Sequence, residues 1–265
     1  MLDSTAAFGL NTGAMLKAIL FDLDNTLVLF NENTFYRGYL SRIQELFADI
    51  LPPEKFIQRL MAATRALVQN SGQMTNAEYF IEVFTDGLEA PKDKMWQRFM
   101  LFYESEYDKL NIDVTLPVNL HRTMRKIAQT GLKLVLASNP LFPLAVQMKR
   151  LAWSGLDSLP FTMVTHLENM SFCKPRVEYY REICQKINEP PESCLMVGND
   201  PVNDMTGAII GMKTYLTNDS KDDYLVTDRK MKVLTQLQIT TIPEPDFTGP
   251  LAKVPDAIRR LSSPA

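Results

Sequence analysis

Cysteine and histidine are scarce in this sequence, which contains three of the first and two of the second among 265 residues. The cysteines, Cys173, Cys184 and Cys194, are odd in number and have no Cys-x-x-Cys spacing, so they indicate neither a disulfide framework nor a zinc site. Neither His121 nor His166 has a second His or Cys at ligand spacing. This usage is typical of a reducing compartment, and we expect a cytoplasmic location.

An excess of positive charge and a long apolar run are absent as well. The 28 Lys and Arg residues are outnumbered by 31 Asp and Glu residues, which argues against a nucleic-acid partner. Every apolar run is shorter than the ~18 residues that span a bilayer, so no membrane partner is expected. The first fourteen residues lack the basic start of a secretory signal, and we predict a loose tail. Nothing in the sequence indicates an oligomeric state.

Five short apolar runs alternate with helical patterns along the chain. The runs are Lys17–Asp22, Leu132–Ala137, Phe161–Thr165, Cys194–Gly198 and Lys213–Leu216. The helical patterns are Pro117–Gln129, Phe142–Leu151, Val177–Ile187 and Val202–Ile210. Strands that alternate with helices in this way predict an α/β fold, a Rossmann-like, doubly wound parallel sheet with helices on both faces.

The segment 33–116 interrupts this alternation, because it contains four amphipathic helical stretches and no convincing strand. We therefore predict a core made of residues 15–32 and 117–218, with residues 33–116 inserted as an all-helical domain. Residues 219–265 are predicted to be an extension packed on the core. This extension contains several prolines and is expected to be irregular, with a short helix at Pro255–Leu261.

Polar residues follow the predicted strands at the points where they end. Asp22, Asp24, Asn25 and Thr26 follow the first strand, Ser138 and Asn139 the second, and Asn199, Asp200 and Asp204 the fourth. Lys174 lies just before the helix that follows the third strand. Each of these residues alone has an ordinary structural explanation as a loop or cap residue. In an open α/β sheet, however, ligands bind outside the carboxyl ends of the strands, so together they predict one site.

Four aspartates and one lysine at this site give a local charge of −4 + 1 = −3, from Asp22, Asp24, Asp200, Asp204 and Lys174. Like charges ~4 Å apart repel by ~4 kcal/mol even at an effective dielectric constant of 20, so the site requires a divalent cation. Oxygen ligands without His or Cys favour Mg²⁺, which commonly shares its coordination with a substrate phosphate. A small phosphorylated metabolite is therefore the expected partner.

The sequence Asp-x-Asp-x-Thr, followed in order by Ser-Asn, Lys-Pro and an acidic cluster, resembles the four motifs of the haloacid dehalogenase superfamily. The resemblance covers about residues 15–218 and implies a Rossmann-like core with a helical cap of the first type at 33–116. It implies that Asp22 is a nucleophile that forms a phospho-aspartate, and that Asp24 is the general acid and base. Lys174 is then expected to neutralise charge on the nucleophile and the transferring group.

The resemblance also assigns the remaining site residues. Ser138 and Asn139 are expected to bind the phosphoryl group, and Thr26 to orient Asp24 by a hydrogen bond. The metal ligands are expected from Asp22, the backbone carbonyl of Asp24, Asp200, Asn199 and Asp204. Asn199 stands where the family usually has an acid, so either Asn199 or Asp200 is the direct ligand, and we favour Asp200 with Asp204 in support.

An acid at position 24 favours a phosphatase, because an alcohol needs a proton to leave whereas the halide released by a dehalogenase does not. The sequence therefore predicts a Mg²⁺-dependent phosphatase for a small organic phosphate monoester. A phosphomutase with the same motifs and a non-catalytic binding protein on the same fold are the alternatives. Substrate selection is expected where the insert faces the site, with Arg37 and Arg65 as candidates for binding a second anionic group.

Overall fold

Six parallel strands form one sheet in the computed structural model, which describes residues 15–110, 112–220 and 233–262. The predicted tail at the start of the chain lies outside these residues. The strands are β1 (Ala18–Phe21), β2 (Lys133–Leu136), β3 (Phe161–Val164), β4 (Cys194–Gly198), β5 (Lys213–Thr217) and β6 (Phe247–Gly249). Their order is β3-β2-β1-β4-β5-β6, and every neighbouring pair is parallel. The predicted α/β fold is therefore present.

The alternation of side chains along the strands divides the apolar core into two layers. In β1, Ile19 and Phe21 face one layer, while Ala18 and Leu20 face the other. All four are fully buried, as expected for a central strand of a parallel sheet covered on both faces. The register pairs Phe21 with Leu136 of β2 and with Val197 of β4, so these three strands end side by side at one edge of the sheet.

Four helices of the described residues pack on the sheet. They are α5 (Leu120–Ala128), α6 (Leu144–Trp153), α7 (Val177–Ile187) and α8 (Val254–Ser262). Helix α7 covers the layer that contains Leu20, and the other three contribute to the layer that contains Phe21. The predicted helix at Val202–Ile210 is a 3₁₀ helix at Met205–Ile210. In the described residues no helix is long and apolar enough to cross a membrane.

Four further helices follow β1 and precede β2, where the sequence predicts the inserted domain. They are α1 (Glu32–Ile43), α2 (Pro53–Ala66), α3 (Asn76–Thr85) and α4 (Lys92–Leu101), and helical turns continue from α4 to Leu110. We call residues 32–110 the helical insert. Leu29 and Thr115 exchange two backbone hydrogen bonds of 2.9 and 2.8 Å at its base. The chain therefore enters and leaves the insert at one place, while the division at 33 and 116 stays a prediction.

Phenylalanine rings fill the centre of the helical insert. Phe47, Phe56, Phe80, Phe84 and Phe99, which we call the aromatic cluster, have ring centroids 4.6–6.4 Å apart in their contacts. Phe56 belongs to α2, Phe80 and Phe84 to α3, Phe99 to α4 and Phe47 to the helical turn after α1. Edge-to-face and offset contacts of this kind add stability beyond the apolar area that they bury.

The C-terminal part differs from its prediction in one respect. The sequence predicts an irregular segment before the last helix, but Phe247–Gly249 adds strand β6 to β5, with Leu216 opposite Thr248. Asp246 anchors the start of this strand, because its Oδ2 accepts hydrogen bonds from the backbone nitrogen and the hydroxyl of Thr214 at 2.9 and 3.2 Å. Three residues between prolines are too few for a period-2 pattern to be visible.

Candidate active site

The strand ends form a crevice of about 200 Å³ at the carboxyl edge of the sheet. Its lining includes almost all of the predicted site residues: Asp22, Asp24, Ser138, Asn139, Lys174, Asn199, Asp200 and Asp204. Glu32, Tyr36, Leu141, Phe142, Arg150 and Asn203 complete it. The motifs come together because β1, β2 and β4 are neighbours in the sheet and end at the same level.

Lys174 joins the first and the last motif. Its Nζ donates hydrogen bonds to Asp22 Oδ1 at 2.7 Å and to Asp204 Oδ1 at 2.6 Å. The lysine side chain is only 1% exposed, so both bonds lie in a poorly solvated environment where charge interactions are strong. The ammonium therefore fixes the two carboxylates at the floor of the crevice.

Burial and charge shift the pKa values of these groups. Burial by itself opposes the charge on Lys174, but the carboxylates of Asp204 and Asp22 raise its pKa well above the ordinary value. Burial raises the pKa of Asp22, and the attraction of Lys174 opposes this rise. Groups in a crevice with such shifts are typical of functional sites.

Gly198 allows Asp204 to reach Lys174. A β-carbon at position 198 would lie 2.2 Å from Asp204 Oδ2 and 2.6 Å from its Cβ, closer than unbonded atoms can approach. Asp204 Oδ2 also accepts a hydrogen bond of 2.9 Å from the backbone nitrogen of Asp200. The glycine that ends β4 is thus required by the close approach of this buried carboxylate.

Asp200 shapes the loop that follows β4. Its Oδ1 accepts hydrogen bonds from the backbone nitrogens of Val202 and Asn203 at 2.9 and 3.1 Å, and its Oδ2 accepts one of 2.8 Å from Asn203 Nδ2. Both carboxylate oxygens therefore have protein donors in the loop. This is the pattern of a turn-forming aspartate.

Two residues after β2 hold the neighbouring loops together. Asn139 Oδ1 accepts a hydrogen bond of 3.2 Å from the backbone nitrogen of Lys174. The carbonyl oxygen of Ser138 accepts bonds from Thr165 Oγ1 and the Tyr179 hydroxyl at 2.6 and 2.9 Å. The side chains of both residues line the crevice, as predicted.

Thr26 does not have the predicted contact. Its hydroxyl lies 3.2 Å from Asp22 Oδ2 and 2.9 Å from Asn199 Oδ1, and no hydrogen bond to Asp24 is found among the described residues. Thr26 is fully buried and is not part of the crevice lining, so it does not contact a ligand there. The prediction was wrong because the turn after β1 directs this side chain back toward Asp22 and β4.

The Thr26 hydroxyl has one proton for two acceptors, and the buried Asn199 Nδ2 has no hydrogen-bond partner among the described residues. Turning the amide of Asn199 by 180° satisfies both groups, because Nδ2 then donates to Thr26 while Thr26 donates to Asp22. This orientation places Asn199 Oδ1 where Nδ2 now lies, a buried position without a hydrogen-bond partner among the described residues.

The donor set fits Mg²⁺. In the described residues no three His, Cys, Asp or Glu side chains form a ready metal-binding group. Mg²⁺ does not need one, since one or two carboxylates with waters and a substrate phosphate commonly bind it. The crevice offers only oxygen ligands, and five carboxyl groups face two cationic side chains in its lining. Asn199 in its turned orientation would add one more oxygen.

Arg150 on α6 is a site residue that the sequence analysis missed. Its Nη1 donates a hydrogen bond to Asp24 Oδ2, and its Nε donates one of 2.7 Å to the Tyr107 hydroxyl. The guanidinium carbon lies 4.6 Å from the ring centre of Phe35 and 4.2 Å from that of Phe142. The side chain is 1% exposed, so this cation is held between the crevice and the helical insert.

Arg150 fixes one oxygen of Asp24, and the other oxygen is buried without a hydrogen-bond partner among the described residues. Burial raises the pKa of Asp24, and the charge of Arg150 opposes this rise. A signal for Arg150 was present in the sequence, because it stands four residues after Val146 on the buried face of α6.

A family model matches the part of the sequence that forms this site. The model of haloacid dehalogenase-like hydrolases matches residues 16–210, which include β1–β4 and every predicted site residue. No curated protein sequence matches the chain at a significant level.

Solved structures with this fold carry different activities in their names. A 2-haloacid dehalogenase from Pseudomonas syringae pv. Tomato DC3000 is 16% identical, with a TM-score of 0.57 and coverage of 93% of this chain and 99% of that one. A HAD phosphatase from Thermococcus onnurineus is 16% identical, with a TM-score of 0.53 and coverages of 92% and 98%. A magnesium-bound HAD-type hydrolase from Bacillus subtilis is 19% identical, with a TM-score of 0.50 and coverages of 92% and 99%. At these identities the likeness concerns the fold alone.

Proposed function

This chain belongs to the haloacid dehalogenase-like hydrolases, and within that family we propose that it is a Mg²⁺-dependent phosphatase for a small organic phosphate monoester. The observation that carries the proposal is the position of Asp24. Asp24 lines the crevice together with Asp22 and Lys174, and its carboxyl group is held there by Arg150. A departing alcohol requires a proton donor at this place, whereas a departing halide does not.

The first half of the reaction is assigned to Asp22. Its carboxylate oxygen attacks phosphorus, the bond from phosphorus to the ester oxygen breaks, and the carboxyl group of Asp24 gives a proton to the departing alcohol. Lys174 holds Asp22 by a bond of 2.7 Å to Oδ1, which fixes the nucleophile and offsets the negative charge that gathers beside it. The product of this half is a phospho-aspartate on Asp22.

The second half returns the enzyme to its starting state. The carboxylate of Asp24 takes a proton from a water molecule, whose oxygen attacks phosphorus, and the bond to Asp22 breaks to release inorganic phosphate. Because Arg150 holds Oδ2, the carboxyl group of Asp24 keeps one orientation through both proton transfers. Ser138 and Asn139, which line the crevice, are assigned to the phosphoryl oxygens.

Mg²⁺, when bound, would neutralise the phosphoryl oxygens and the surrounding carboxylates. We assign it to Asp22, the backbone carbonyl of Asp24 and Asn199 Oδ1. This choice replaces our expectation for Asp200, because both Asp200 oxygens already accept hydrogen bonds in their own loop. Asp204 acts through Lys174, to which it is bonded at 2.6 Å.

The test is phosphate release from p-nitrophenyl phosphate and from alkyl phosphates, with Mg²⁺ and with a chelator. We expect chelation to abolish release and Asp22→Asn to lower kcat by about 10⁴-fold or more. Asp24→Asn should lower turnover of alkyl phosphates more than that of p-nitrophenyl phosphate, since p-nitrophenolate leaves without a proton. The exposed Asp157→Asn is the matched control and should leave both rates unchanged.

Other outcomes would replace the proposal. Halide release from 2-haloacids without phosphate release from any ester would make the protein a dehalogenase. Transfer of the phosphoryl group within a sugar phosphate, without free phosphate, would make it a phosphomutase. Mg²⁺ binding with no turnover of either kind would identify a binding protein.

A further inference from the structure

An apolar cavity of about 390 Å³ lies beside the crevice, between the helical insert and the core residues Leu141, Phe142 and Leu167. The cavity and the crevice share three lining residues, Tyr36, Leu141 and Phe142. Leu60 and Phe99 are among the side chains that line its interior. A group bound at Asp22 and Asp24 thus has an apolar space next to it, separated only by side chains that belong to both.

The cavity offers little to a polar ligand. None of the described residues that line it carries a formal charge. The hydroxyls of Tyr39 and Tyr103 bond to each other at 2.9 Å, and Thr64 Oγ1 donates to the carbonyl oxygen of Leu60 at 2.9 Å. The Tyr36 hydroxyl and the Trp96 indole N–H are the other side-chain polar groups of the lining, so most hydroxyls of a sugar would lose their water without a protein partner, which is costly.

The cationic side chains of this region also disfavour a substrate with a second anionic group, because of where they lie and what they already bind. The two candidates from the sequence, Arg37 and Arg65, are exposed and line neither the crevice nor the cavity. Lys174 is bonded to Asp22 and Asp204, and Arg150 is bonded to Asp24, with its Nη2 buried and unpartnered among the described residues. Nothing in the lining of the cavity would neutralise a carboxylate or a second phosphate.

We propose that this cavity binds the organic part of the substrate, and that the preferred esters are phosphates of apolar alcohols or phenols with a bicyclic aromatic or medium alkyl group. The inference rests on the proposed phosphatase function. The size of the cavity suits such a group. A cavity of ~150 Å³ in another protein holds one benzene ring, and this cavity measures about 390 Å³. Tyr36, which lines both spaces, is 39% exposed.

The experiment compares kcat/KM for ethyl, butyl and hexyl phosphate, 1-naphthyl phosphate, glycerol phosphate and glucose 6-phosphate. We expect about a threefold rise for each added methylene in the alkyl series, the gain from burying that group. The two polyol phosphates should be the poorest substrates.

Met61 lines the cavity, and Met61→Trp should fill much of it. This variant should lower kcat/KM for 1-naphthyl phosphate by about tenfold or more and that for ethyl phosphate by a smaller factor, because ethyl phosphate has fewer atoms to place in the cavity. Met148→Trp is the matched control, because Met148 is 36% exposed and lines neither space.

A binding measurement separates this inference from the proposed function. 1-Naphthylphosphonate cannot be hydrolysed, and its binding with Mg²⁺ by titration calorimetry should weaken about tenfold in Met61→Trp but not in Met148→Trp. Esters hydrolysed without preference for apolar groups would overturn the inference and leave the phosphatase intact. Binding of the phosphonate without turnover of any ester would support the cavity and overturn the phosphatase. Equal binding by all three proteins would overturn the inference.

Discussion

The crevice and the aromatic cluster of the helical insert are both buried, but the crevice buries charged side chains whereas the cluster buries apolar rings. In the crevice, Asp22, Asp204 and Lys174 are almost fully buried and are held by two short charge-assisted hydrogen bonds. In the aromatic cluster, rings such as Phe56 and Phe84 are buried against other rings and depend on close packing. The first region fails when one partner is removed, whereas the second loses stability gradually as volume is removed.

The largest effect is expected at Lys174, where a substitution tests the crevice most directly. Lys174→Met removes the ammonium between two buried carboxylates, and we expect the free energy of unfolding to fall by about 3–5 kcal/mol, with loss of turnover. Urea unfolding at neutral pH measures it. The control is Lys186→Met, whose half-exposed ion pair with Glu182 should contribute less than about 1 kcal/mol. A fall in unfolding free energy of less than about 1 kcal/mol for Lys174→Met would contradict the description of the crevice.

Arg150 is expected to have the next largest effect, because it connects the two regions. Arg150→Met removes the hydrogen bonds to Asp24 and Tyr107, and we expect a loss of about 2–4 kcal/mol. A double-mutant cycle with Asp24→Asn should give a coupling energy of at least about 1 kcal/mol. If the losses in unfolding free energy of the two single variants simply add up in the double variant, the contact between Arg150 and Asp24 contributes no stability. The exposed Arg259→Met serves as the control.

A smaller effect is expected inside the aromatic cluster. Phe84→Leu should lower the free energy of unfolding by about 1 kcal/mol, while kcat/KM stays within about twofold for every ester, because Phe84 lines neither the crevice nor the cavity. Phe99→Leu should have a similar cost in stability but should change turnover of 1-naphthyl phosphate, since Phe99 lines the cavity. Calorimetric unfolding and initial rates on the two variants test this distinction. Equal kcat/KM values of the two variants for 1-naphthyl phosphate would contradict the distinction between Phe84 and Phe99.

The smallest effect is expected at Thr26. Thr26→Val deletes the hydroxyl between Asp22 and Asn199, and we expect a loss of about 1 kcal/mol. Thr26→Ser keeps the hydroxyl and should recover most of this stability. If valine and serine behave alike in urea unfolding, the hydroxyl does not support the two side chains.

Much of the fold followed from local patterns. The alternation of buried runs and amphipathic helices predicted β1–β5 within one or two residues at each end, and it predicted α7 with its observed bounds. Strand β6 was not predicted, because its three residues pair only with β5 and have no periodic pattern of their own. Long-range pairing, rather than propensity, makes this segment a strand.

The candidate site was predicted in part, for a related reason. Asp22 and Ser138 stand next to strand ends, Lys174 and Asp204 lie in the segments that follow β3 and β4, and a parallel sheet brings such segments to one edge. Arg150 looked like an ordinary base in the last turn of a surface helix. Its partner, Asp24, lies 126 residues away in the chain, so no local spacing could indicate the contact.

The sequence alone determined the α/β fold, the order of its motifs and the oxygen-rich character of the crevice, because these depend on short periodic patterns and on residue type. Only the tertiary structure decided that Thr26 supports Asp22 and Asn199, that Arg150 holds Asp24, and that an apolar cavity adjoins the crevice. Hydrogen bonds and cavities depend on where side chains from distant segments meet, and that is fixed when the helical insert packs against the sheet.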